Sequence, residues 1–176
     1  MPWLILSLGA ALIAVAIVHY YVATIESSIW LAVLIPVVAT MGSNAATQTM
    51  TVVVRGIGLG EVGWETTRRV VTKEALVGLI NGLIIGVVVC AIITVWFGAK
   101  LGSMWFGLKL GGILGVTMVL SLVVAGGLGT LVPVLLKRFR VDPALASSMF
   151  VVTFTDVITF FFYLGMATLL LNQFKL

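Results

Sequence analysis

The chain has 176 residues, of which 61% are hydrophobic and 9% charged, and its mean hydropathy is +1.26. That composition excludes an ordinary soluble domain, and the net charge of +4 is no nucleic-acid signal, because the basic residues fall in short intervals between apolar runs. A single cysteine, Cys90, excludes an intrachain disulfide framework.

Five apolar spans follow in chain order, which makes the expected fold an all-α polytopic membrane protein. The first, about 2–23, lacks the basic flank of a signal peptide and is too long for one. His19, beside Tyr20 and Tyr21, reads as an interfacial belt residue. The second, about 29–54, is unusually polar. Within it Asn44, Gln48, Thr51 and Arg55 recur at helical spacing and share one face, with Thr47 alongside. Pro36 cannot donate to the carbonyl of Ala32, and irregular, polar backbone at membrane depth lines a cavity or is buried in protein. Helix-to-helix hydrogen bonding is the other use of such side chains.

The third span, about 75–97, carries Gly78, Gly82 and Gly86, and the fourth, about 106–136, carries Gly107, Gly111 and Gly115. Both ladders read as close helix packing. Glu74 precedes the third span, where a carboxylate favours the helix dipole; a place at an ion mouth is the alternative. Pro133 predicts a kink in the fourth span. The fifth, about 143–174, opens on Asp142-Pro143, a capping residue followed by a proline suited to the first turn.

Loop charges give the expected orientation. Arg55, Arg68, Arg69, Lys73, Lys137, Arg138 and Arg140 lie on one side, against Lys100, Lys109 and Lys175 on the other. The positive-inside rule puts the first set in the cytoplasm, with the amino terminus cytoplasmic and the carboxyl terminus outside.

The fifth span holds the most informative residue. Asp156 is a carboxylate near the middle of an otherwise apolar segment, where insertion costs at least ~3 kcal/mol; contact with a cation or water is the expected use, and a hydrogen bond to a neighbouring helix is the alternative. Ser148, Val152, Asp156, Thr159 and Tyr163 form a stripe at helical spacing, flanked by Thr153 and Thr155. One acid among hydroxyls suits a hydrated cation, and Mg²⁺, which gives up water reluctantly, is often held through few carboxylates. One Asp is little charge for a divalent ion; a symmetric dimer would bring two together on its axis.

These residues resemble those of a known family. Met41-Gly-Ser-Asn-Ala-Ala-Thr-Gln48 and Thr51-Val-Val-Val-Arg-Gly56 are similar to the second-helix signature of MgtE-type magnesium channels. Val141-Asp-Pro-Ala-Leu-Ala146 and Thr153-Phe-Thr-Asp-Val157 resemble its fifth helix, and Gly58-Leu-Gly-Glu61 and Lys73-Glu-Ala-Leu-Val-Gly78 extend the likeness across the chain.

The resemblance implies five transmembrane helices per subunit and a homodimer in the bilayer of a prokaryotic plasma (inner) membrane. It implies a pore at the dimer interface, lined by the second and fifth helices. Asp156 matches the family's pore aspartate for hydrated Mg²⁺, Asn44 its signature asparagine, and Asp142 its aspartate at the cytoplasmic end. The lining set is then Asn44, Thr47, Gln48, Ser148, Val152, Thr153, Thr155 and Thr159, with Asp142 and Glu74 at the cytoplasmic mouth. Mg²⁺, or another divalent cation, is the transported ion rather than a resident cofactor.

Two departures stand out. Full-length members carry a soluble amino-terminal domain and paired CBS domains, whereas residues 1–176 are expected to be the membrane domain alone. Ser43 stands where the family motif usually has a second glycine. The expected activity is passive Mg²⁺ conduction; a cation-coupled exchanger and a non-conducting assembly subunit are the alternatives. With no nucleophile–base pair or multi-ligand metal cluster in the sequence, an enzyme is not expected.

Overall fold

The computed structural model describes residues 2–173, and all of its regular structure is helical: α1 (Pro2–Tyr20), α2 (Val22–Ser27), α3 (Ile29–Gly58), α4 (Thr67–Leu101), α5 (Met104–Arg138) and α6 (Pro143–Gln173). Among the described residues, four stretches are long and apolar enough to cross a membrane: Ile29–Gly58, Thr67–Lys100, Met104–Arg138 and Ser147–Leu170. A shorter apolar stretch, Ser7–Tyr20, lies on α1, which stops at Tyr21 before the single short helix α2.

The helices outrun the hydropathy pattern on the basic side. α4 begins at Thr67 rather than at Ala75, so Arg68, Arg69 and Lys73 ride on its first turns instead of in a loop. α3 continues through Arg55 to Gly58. Hydropathy marks where a helix meets lipid, and charged residues with good helix propensity prolong it into water. At 1.5 Å per residue, the 35 residues of α4 reach about 52 Å, well beyond the ~30 Å hydrocarbon core. Gly102, with φ of 67°, ends α4 in a left-handed cap, and Ser103 opens α5 by accepting from the amide of Phe106.

α4 and α5 form an antiparallel hairpin in which the two glycine ladders meet. A Cβ on Gly82 would lie 2.7 Å from the Cα of Val119, and one on Gly86 would lie 2.7 Å from the Gly115 carbonyl oxygen. Only the missing side chains allow that approach. α5 is the most buried helix. Leu110, Leu114 and Met118 pack with Leu31 and Val38 of α3 and with Tyr163 and Leu164 of α6 in one apolar cluster. The buried Tyr163 hydroxyl donates to the Leu31 carbonyl at 3.0 Å, and the Thr24 and Thr168 hydroxyls bond at 2.7 Å, tying α2 to α6. α1 packs on α6. The outcome is a bundle centred on α5, with α3 and α6 side by side against it.

Candidate cation site

Asp156 lies on α6 about 20 Å along the helix from Pro143. It is half-buried, and the Ser43 hydroxyl of α3 donates to its Oδ1 at 2.5 Å. A carboxylate on one helix is thus joined to the signature segment of another. The sequence marked Ser43 only as a departure from the family's glycine; its hydroxyl is the direct partner of the acid.

From Asp156 a groove of about 320 Å³ opens between α6 and α1. Ser148, Val152 and Thr153 form one wall, and Ser7, Ala10 and Ala14 of α1 form the other. The small residues of α1, which no motif singled out, leave this space open. Thr153 donates to the Met149 carbonyl at 2.7 Å, and Thr47 to the Ser43 carbonyl at 2.8 Å. Each hydroxyl proton is committed to its own helix, so the oxygen lone pairs are what these side chains offer outward.

α3, which reaches Asp156 through Ser43, also carries a polar face. Asn44, Gln48, Thr51 and Arg55 are all exposed in the single chain, whereas Gly42, Ala46 and Val53 face the core. The stripe on α6 divides along its length. Ser148 is exposed and Val152, Thr153 and Asp156 are half-buried, but Thr155, Thr159 and Tyr163 are fully buried within the subunit. α3 crosses α6 there at a glycine: a Cβ on Gly42 would stand 3.1 Å from Thr159 Oγ1 and 3.2 Å from Thr155 Cγ2. Neither threonine hydroxyl has a hydrogen-bond partner among the described residues.

The two acids expected at the mouth occupy different settings. Asp142 accepts from the amide of Ala144 at 2.8 Å, the capping role foreseen for it. Glu74 faces a hollow of about 190 Å³, which it shares with Gln48, Thr49 and Asn81, and Thr49 Oγ1 is 3.4 Å from its Oε2. Among the described residues no group of three or more His, Cys, Asp or Glu side chains could hold a metal ion directly. A lone carboxylate amid hydroxyl and amide oxygens can still hold a cation through its water.

The chain is similar to proteins of one known family. The profile of the family MgtE, described as divalent cation transporter, matches residues 35–166, which includes Ser43, Asn44 and Asp156. The chain is 30% identical over 173 residues to the magnesium transporter MgtE of Bacillus subtilis (strain 168), covering 98% of this chain and 37% of that protein. It is 31% identical over 170 residues to the magnesium transporter MgtE of Thermus thermophilus, covering 97% and 36%. The protein of that name in Enterococcus faecalis is 28% identical over 175 residues, covering 99% and 37%. The chain spans little more than a third of the length of these curated relatives. Through a matched segment running from α3 to α6, the chain belongs to the MgtE family of divalent cation transporters.

Proposed function

We propose that the chain conducts hydrated Mg²⁺ across a membrane as a twofold dimer of five-span subunits, with the path between subunits and lined by α3 and α6. The observation that carries this reading is the half-buried Asp156 of α6, bonded to Ser43 of α3 and open to a groove, while Asn44, Gln48 and Thr51 are exposed elsewhere around α3. A polar helix face turned toward lipid is unfavourable, and a second copy across a twofold axis would give it an aqueous or protein neighbour.

The chemistry suits a cation that keeps its water. Waters bound to Mg²⁺ turn their protons outward, so the wall must accept hydrogen bonds. Thr47 and Thr153, with their protons committed to the helix backbone, can only accept outward, and the side-chain carbonyls of Asn44 and Gln48 add further acceptors. Asp156 supplies charge, and its counterpart across the axis would double it. Two carboxylates facing each other repel, which makes the empty site attractive to a divalent ion. The driving force is the membrane potential, roughly 4.6 kcal/mol per 100 mV for a divalent charge.

α1 serves as the remaining span. Its 19 residues reach about 28 Å, close to the thickness of the hydrocarbon core. The basic ends of α3, α4 and α5 face the cytoplasm, with the amino terminus on the same side. The lining runs from Ser148, Val152 and Thr153 past Asp156, with Thr155 and Thr159 behind it and Asp142 toward the cytoplasmic end. Flux of Mg²⁺, Ca²⁺, Mn²⁺ and Na⁺ into liposomes containing the purified chain tests the reading. Voltage-driven Mg²⁺ uptake without a counter-ion gradient is expected, and failure of the reconstituted dimer to move any divalent ion refutes it.

A further inference from the structure

We propose that Glu74, Gln48, Thr49 and Asn81 form a second cation site, for one partly hydrated monovalent ion, on the other flank of α3 from Asp156. Relative to Ser43, which touches Asp156, residues 48 and 49 are turned by about 120° or more around the α3 axis. The helix therefore separates the two acids. The hollow is built from α3 and α4 over α5, where glycines let the α4 and α5 backbones touch: a Cβ on Gly126 would overlap the Glu74 carbonyl, and one on Gly78 the Leu122 carbonyl.

The surroundings favour an occupant. Asn81 is exposed on a stretch of α4 where Ile80, Leu83 and Ile84 are 52–58% exposed and apolar, as a lipid-facing surface should be. An amide on such a surface is costly unless water or an ion reaches it. Thr49 Oγ1, 3.4 Å from one carboxylate oxygen, takes at most one acceptor position of Glu74 and leaves the others for water or an ion.

Charge chooses the ligand. Glu74 contributes one negative charge, while Gln48, Thr49 and Asn81 contribute only neutral oxygens, so a single positive charge leaves the site neutral. About 190 Å³ holds an ion with a few waters, at ~30 Å³ each. The site shares Gln48 with the proposed Mg²⁺ path, but it needs neither Asp156 nor the dimer axis.

The test is thermal unfolding of the detergent-purified chain in choline chloride, with Na⁺ or K⁺ replacing choline at constant ionic strength. Replacement at 150 mM, an added concentration, should raise Tm by several degrees in the wild type and in Asp156→Asn, but not in Glu74→Gln. Asn81→Leu, which suits its apolar neighbours, should move the midpoint of the Na⁺ or K⁺ titration upward about tenfold. Three results overturn the proposal: no monovalent shift in the wild type, a shift that survives Glu74→Gln, or one abolished by Asp156→Asn. A Glu74-dependent shift given by Mg²⁺ but by neither monovalent ion overturns the choice of ligand. Should Glu74→Gln not fold, an unchanged midpoint in Asn81→Leu overturns the site and a raised one supports it.

Discussion

Replacing Ser43 by alanine should tighten the hold on Mg²⁺ and slow its passage. In the structure the Ser43 hydroxyl donates to Oδ1 of Asp156, occupying an acceptor that the cation's water would otherwise use. A hydrogen bond to an ionised acceptor contributes about 1.5–3 kcal/mol. Asp156 is only half-buried, so solvent recovers part of that when the donor is removed. About 1 kcal/mol is then transferred to the cation, roughly fivefold in affinity. A site that holds its ion more tightly releases it more slowly. In proteoliposomes under a fixed diffusion potential, with an internal fluorescent Mg²⁺ indicator, half-saturating Mg²⁺ should fall about three- to tenfold in Ser43→Ala, and maximal flux should fall with it. Ser43→Thr keeps the hydroxyl and should stay within about twofold of wild type. A raised half-saturating concentration in Ser43→Ala would refute the reasoning, because Ser43 would then be a ligand of the hydrated ion rather than its competitor.

Asp156→Asn should abolish divalent flux while the protein still inserts and dimerises, and wild-type transport in a folded variant would remove Asp156 from the path. In a Cys90→Ala background, Asn44→Cys and Ser148→Cys, both exposed, should crosslink between subunits, and Leu83→Cys on α4 and the buried Thr159→Cys should not. Equal crosslinking at Leu83 would displace the axis from α3 and α6. Gly86→Val should lower thermal stability by ~3 kcal/mol or more, since its Cβ would lie 2.7 Å from the Gly115 carbonyl oxygen. Gly112→Ala, with nothing within 4 Å, should leave stability unchanged or slightly raised, and similar unfolding temperatures for the two would count against the hairpin contact.

What the sequence made legible depended on how local the determinant was. The start of α6 needed only Asp142-Pro143, and the capping bond to Ala144 is there. The glycine ladders announced close packing, but nothing in either says that it faces the other. The start of α4 was hidden because its first turns are charged, and hydropathy is blind to helix in water. The stripe through Asp156 follows from helical spacing alone. What covers that stripe does not, since it changes where α3 crosses at Gly42 and turns Thr155, Thr159 and Tyr163 inward. The Ser43–Asp156 pair joins residues 113 apart in sequence, and that link belongs to tertiary packing.

The overlong start of α4 also bears on the field at that end of the bundle. Arg55, Arg68, Arg69, Lys137 and Arg138 are fixed to the ends of three helices, with the Arg138 guanidinium seated 4.1 Å from the centre of the Trp64 ring. Positive charge anchored to helix ends stays at that end of the bundle. On the proposed path it would thin the local cation concentration over about one Debye length, ~10 Å at 0.1 M salt. Permeation should then rectify: current in the two directions should differ at low ionic strength, and the difference should fade as salt compresses the field.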